Sequence, residues 1–144
     1  MLEIRTLLVP IDFSAHSLGA LERACDLARE FDAALHLLHC YEIPTPGLEQ
    51  YRIALPETVW ERIHAGAEQW LAALAEKTAA AGLRVTSEVS AEAPGHAIVE
   101  VARRVDADIV VLGTRGTTGV KHFLLGSVAE RTVRTAPCNV LVVK

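Results

Sequence analysis

The sequence predicts an α/β protein, an open five-stranded parallel sheet with helices on both faces. Three observations carry this. Short apolar runs alternate with segments of helical periodicity in the order βαβαβαβαβ, the pattern of a parallel sheet with helical crossovers. The stretch "DIVVLG" (108–113) is apolar throughout, as a central strand covered on both faces must be. The stretch "RVTSEVS" (84–90) alternates apolar and polar residues, so one of its faces is wet and it belongs at a sheet edge.

The elements follow in order. "TLLVPI" (6–11) is the first strand, and Pro10, which cannot donate to a ladder, suits its end. Ser14 is placed to cap a helix whose apolar stripe is Leu18, Leu21, Cys25 and Ala28. "ALHLLHCY" (34–41) is the second strand. Pro44, Pro46 and Gly47 make 42–55 a loop. A long helix runs from Pro56 to Ala81, with Trp60, Ile63, Ala67, Trp70, Leu71 and Leu74 as its expected buried stripe and Gly82 as its stop. Pro94 opens the next helix as a first-turn residue, and Ile98, Val101, Ala102 and Val105 form its apolar face. After the fourth strand, 127–135 is a short helix and "NVLVV" (139–143) the last strand.

The chain of 144 residues has 51% hydrophobic residues, enough for one domain over 1–144 with a real core and too apolar for disorder. No apolar run reaches the roughly 18 residues of a membrane span, and the start lacks the features of a secretory signal. The expectation is a soluble, cytoplasmic protein. A net charge of −4 without a basic cluster argues against a nucleic-acid surface. Cys25, Cys40 and Cys138 form no CxxC and read as free buried thiols. His36 and His39 sit three apart on a strand and therefore point to opposite faces, which argues against a metal pair.

Four of the nine glycines, Gly113, Gly116, Gly119 and Gly126, crowd into "GTRGTTGVKHFLLGS" (113–127), between the buried fourth strand and a helix. Bare amides at a helix N-terminus attract anions, and glycine permits close approach and positive φ. Ser127 adds a hydroxyl. The stretch therefore reads as a phosphate cradle. It is not a Walker sequence, which needs a Lys after its second glycine. At the end of the first strand, Asp12 can accept hydrogen bonds from ribose hydroxyls or cap the following helix, and the two roles are compatible.

At this point the chain resembles the universal stress protein family. Its nucleotide-binding members carry a G-x2-G-x9-G-[S/T] pattern, met here by Gly113, Gly116, Gly126 and Ser127. "LLVPID" near the start and "LLGSVAERTVRTAPCNVLVV" at the end are similar as well, so the likeness spans essentially the whole chain. The resemblance implies a strand order of 3-2-1-4-5, an ATP site between the first and fourth strands, with or without Mg2+, and a homodimer. It implies that Asp12 holds ribose, with Pro10 and Ile11 beside it. His39 and Cys40 then border adenine, and Gly113 lies under the ribose and α-phosphate, flanked by Thr114 and Arg115. Gly116, Gly126 and Ser127, with Val128 alongside, receive the phosphates. Arg115 and Lys121 admit either a phosphate contact or a solvated charge. The last strand, with Val140, Leu141, Val142 and Val143 apolar on both faces, is an outer one in this order and offers an edge for pairing with a second copy.

The function expected is that of an ATP-binding regulatory or stress-response module. A slow ATPase or nucleotidyl-transfer enzyme of the same fold is the alternative. A response-regulator receiver is disfavoured, because Asp12 stands alone at the first strand.

Overall fold

The structure, a computed structural model, describes residues 3–41, 56–115 and 125–144. The loop expected at 42–55, and Gly116, Gly119, Lys121 and His122 of the glycine stretch, lie outside these residues. The elements are β1 (Thr6–Pro10), α1 (Ala15–Phe31), β2 (Ala34–Cys40), α2 (Glu57–Ala79), β3 (Val85–Ser90), α3 (Pro94–Arg104), β4 (Ile109–Gly113), α4 (Ser127–Thr135) and β5 (Asn139–Val143). The sheet has the order β3-β2-β1-β4-β5, and every pairing is parallel. Strand order reverses between β1 and β4.

The period of two along each strand sorts neighbouring residues into two cores. Leu7, Leu35, Leu37 and Val111 meet Ala20, Ala24 and Ala28 of α1 and Leu71 of α2 on one face. Leu8, Leu38, Val110 and Leu112 meet Ala97, Ile98 and Ala102 of α3 and Ala129 of α4 on the other. Local chemistry sets the ends. Ser14 caps α1, its hydroxyl accepting from the Ser17 N–H at 3.2 Å. Pro94 occupies the first turn of α3, and Gly82, at φ +86°, turns the chain after α2. One Asp108 carboxylate oxygen accepts from the backbone N–H groups of Arg5 (2.7 Å) and Thr6 (2.9 Å), fixing the start of β1 beside the start of β4.

Two expected stripes need correction. On α1 the buried row is Ser17, Ala20, Leu21, Ala24 and Ala28, and Leu18 is exposed. Ser17 takes the inward place because its hydroxyl donates to the Ser14 carbonyl and accepts from the Asp12 N–H. On α2 the buried residues are Ala67, Leu71 and Thr78, while Trp70 is 69% exposed. That helix lies over β2 and β3 at one side of the sheet, so its stripe is narrow, and Trp70 stands on the flank with its ring edge-on to Phe13 (centroids 6.1 Å). None of the three cysteines forms a disulfide among the described residues, and all are partly rather than fully buried. Burial pushes the Cys25 and Cys138 thiols up, so neither is an activated thiolate.

The two β2 histidines do face opposite sides. His36 is buried, with Nδ1 2.7 Å from Thr86 Oγ1, Nε2 without a hydrogen-bond partner among the described residues, and the Glu88 carboxylate 3.6 Å from Nε2. Arg104 of α3 pairs with the same carboxylate. Burial lowers the His36 pKa, Glu88 opposes the shift and Arg104 adds to it. The unfolded chain therefore takes up this proton at a higher pH than the folded one. Stability falls as pH drops below about 6.5, with a slope of at most about 1.4 kcal/mol per pH unit from this residue. Urea unfolding of the parent and of His36→Gln between pH 7.5 and 5 checks this. The variant is expected to show the shallower acid limb, and equal limbs refute the assignment.

Candidate functional site

The crevice begins with a difference between ladders. β1 pairs with β2 from Thr6↔Ala34 to Pro10↔Leu38, and β4 pairs with β5 from Ile109↔Asn139 to Gly113↔Val143. Between β1 and β4 the pairing consists of Leu7↔Ile109 and Leu8↔Val110 and stops there. Both strands continue, so they part toward their carboxyl ends. Backbone direction explains where. The Ile11 N–H donates to the Leu38 carbonyl (2.8 Å), and the Thr6 carbonyl accepts from Asp108 N–H (2.9 Å). Odd residues of β1 thus face β2 and even ones face β4. Pro10 is the next even residue after Leu8, and it has no N–H to offer β4. The proline sits in a central strand at the one place where the missing donor opens a gap.

The sequence-derived residues fall around this gap. Pro10, Ile11 and Asp12 end β1, His39 and Cys40 end β2 next door, and Gly113, Thr114 and Arg115 end β4. Gly126, Ser127 and Val128 join them because the Gly126 N–H donates to the Thr114 carbonyl (2.6 Å), while the Thr114 N–H donates to Val143 (3.0 Å). Gly116 lies outside the described residues.

Each has a local reason for its place. Gly126 is the N-cap of α4 with φ −68° and ψ 161°, an extended conformation open to any residue, so the positive φ that glycine permits is not used here. Gly126 has no side chain to cap α4, and no side chain among the described residues does so. First-turn N–H groups and the helix dipole of such an end favour an anion. Asp12 does not cap α1, since Ser14 does. Its Oδ1 accepts from the Ser14 N–H (2.9 Å), which orients the carboxylate. Phe13 follows in the left-handed region at φ +63°, a conformation costing about 1–3 kcal/mol for such a residue and concentrated at functional turns. Its ring meets His39 edge-on (5.1 Å), and His39 Nδ1 donates to the Ile11 carbonyl (2.7 Å). This lock aims His39 at the β1 loop. Beyond β2, Tyr41 donates to His64 Nδ1 (2.9 Å), and His64 Nε2 donates to Glu68 (3.1 Å), tying α2 to the strand end.

Gly113 has a packing reason of its own. A Cβ built on it would lie 2.8 Å from the carbonyl carbon, the oxygen and the Cβ of His16. The first turn of α1 rests directly on the end of β4. Sequence reasoning missed His16 and Phe13. The signal available for His16 was its place on the row of Ala20 and Ala24, four and eight residues on.

Sheet reversal, parted strands and an uncapped helix at one end define a class, the doubly wound α/β proteins whose ligands bind beyond the carboxyl edge at the switch in strand order. Residues 3–144 match the universal stress protein family, and the chain belongs to it. It is 34% identical over 141 residues to a universal stress protein of Methanocaldococcus jannaschii, covering 97% of this chain and 82% of that relative. Among solved structures it is similar to the universal stress protein UspA of Lactobacillus plantarum, with TM-score 0.82, 26% identity and full coverage of both chains. A universal stress protein in complex with cAMP superposes with TM-score 0.71 at 26% identity, covering 99% of this chain and 98% of that one. No helix among the described residues is long and apolar enough to cross a membrane.

Proposed function

We propose that this chain binds ATP in the β1–β4 crevice and acts as a regulatory stress-response module through occupancy of that site. The observation that carries the reading is the pairing of the β1–β4 gap with the uncapped N-terminus of α4, held to β4 by the Gly126–Thr114 hydrogen bond. Asp12 suits ribose hydroxyls, because its carboxylate is already oriented at the rim. Pro10, Ile11, His39 and Cys40 suit the base side. Thr114, Arg115, Gly116, Gly126, Ser127 and Val128 suit the phosphates, with or without Mg2+. The cAMP-bound relative supports an adenine nucleotide as the ligand class.

Thermal unfolding with ATP and with GTP tests this. At ATP about 100 times its dissociation constant, the gain is expected to be roughly 2.7 kcal/mol. No shift at millimolar ATP removes the proposal. Gly126→Val is expected to keep the fold, since its backbone is unstrained, and to lose the ATP-dependent shift because a branched side chain enters the cradle.

We also propose a homodimer paired through β5. This strand is the outer one beside β4, and Leu141 on it is 39% exposed. The Val143 carbonyl accepts from Thr114, so odd residues of β5 face β4 and the outward donors are Val140 and Val142. A proline at Leu141 would break the sheet itself, whereas Val142→Pro removes only an edge donor. Sedimentation at tens of micromolar is expected to give a dimer for the parent and a monomer for Val142→Pro. A monomeric parent refutes the pairing.

A further inference from the structure

His16 occupies an unusual position on α1. It continues the row of Ala20 and Ala24, which are fully buried against the sheet, yet it is itself exposed. The reason is that the sheet ends beneath it. As a crossover helix between parallel strands, α1 runs opposite to them, so its first turn lies at their carboxyl edge. Helical side chains lean toward the helix N-terminus, and His16 therefore leans past the end of the sheet. Its Cβ stands over Gly113, the last residue of β4. The next residue, Thr114, holds the N-cap of α4. The imidazole and the positive end of α4 thus flank the same opening, and the imidazole makes no hydrogen bond among the described residues.

We propose that His16 faces the phosphates of the bound nucleotide and sets the preference of the site for more highly phosphorylated ligands, more strongly in acid. The proposal rests on the nucleotide reading above. A phosphate chain brings several negative charges, and histidine is the side chain that exchanges its proton between pH 5 and 8. In its protonated form it adds a cation where the α4 dipole already favours anions. Other charged groups bear on the same opening. Asp12 ends β1 with its carboxylate held by the Ser14 N–H, Arg115 ends β4, and Glu130 lies in the first turn of α4. Asp12 brings negative charge to this opening and Arg115 positive charge, while Glu130 is paired with Arg134. Gly113 fits this scheme, since only a residue without a side chain lets α1 stand close enough for His16 to overhang the gap.

The test compares affinities for ATP and AMP at pH 8 and pH 6 in the parent, His16→Gln and His16→Lys, by calorimetry. Glutamine keeps the backbone and Cβ that touch Gly113, so melting temperatures close to the parent's are expected. The ionisation of the ligands themselves is common to all three proteins, and differences between proteins isolate the residue. In the parent the ATP-to-AMP affinity ratio is expected to rise about two- to five-fold more between pH 8 and pH 6 than in His16→Gln, the range of an exposed charge contact. In His16→Lys the ratio is expected to be raised at both pH values. Equal pH responses in parent and His16→Gln, with both nucleotides bound, overturn the role of His16 and leave the nucleotide site standing. Failure of the parent to bind either nucleotide overturns both.

Discussion

Gly113→Val lowers the unfolding free energy by about 1–3 kcal/mol, the usual cost of forcing atoms into a filled space. The cause is steric and not conformational. Gly113 lacks a positive φ, which among the described glycines belongs to Gly82. The obstacle is the His16 backbone, 2.8 Å from the would-be Cβ, and a backbone inside a helical turn cannot swing aside as a side-chain tip does. Val111, on the same side of β4, is fully buried under α1, so the shift would propagate down the helix. Urea unfolding of Gly113→Ala and Gly113→Val is expected to show loss in both and more in the branched residue. Parental stability in both would mean that α1 lifts at no cost, against the contact described.

Leu8→Ala costs about 2–5 kcal/mol, the range for a leucine deleted from a packed core, out of a typical total of about 5–15 kcal/mol. Leu8 is fully buried in β1, pairs with His36 and Val110 on either side, and packs with Leu38, Ile98 and Ala102 under α3. The surrounding strands cannot close the hole, because their spacing is set by hydrogen bonds. Leu18→Ala is the control. That leucine lies on the exposed side of α1, and its loss is expected to fall within about 0.5 kcal/mol. Denaturant midpoints at a common slope measure both. A small effect at Leu8, or a large one at Leu18, contradicts the core assignment.

Much of this was legible because the signals are local. The uniform apolarity of "DIVVLG" and the alternation of "RVTSEVS" distinguish a central from an edge strand by burial alone, and β4 and β3 take those places. The limits of α4 and β5 coincide with 127–135 and 139–143, since a glycine and a proline-containing turn bound them. The errors have physical causes too. Hydropathy ranks leucine above serine, yet Ser17 turns inward because it has two backbone partners at the head of α1. Helical periodicity grouped Trp70 with Leu71, but a helix over the margin of a sheet has only a narrow covered stripe. The crowding at Gly113 comes from His16, 97 positions away, and no local pattern encodes it. The direction of the donor missing at Pro10 depends on register, which becomes visible only once β1 lies between its neighbours.

The short β1–β4 ladder also bears on how the molecule opens. The three strands β3, β2 and β1 form one continuous panel and β4 with β5 a second, joined in the sheet by the pairs at Leu7 and Leu8 and by the Asp108 contacts to Arg5 and Thr6 at the amino end. What spans the join on the α1 side is that helix, whose alanines sit among residues of β1, β2 and β4 alike. The join is the natural line for a partial opening, with amides beside it losing hydrogen-exchange protection before those in the middle of either panel. A molecule wedged between the carboxyl ends would bear on that same line, so its arrival would register as a change in exchange along the whole of α1.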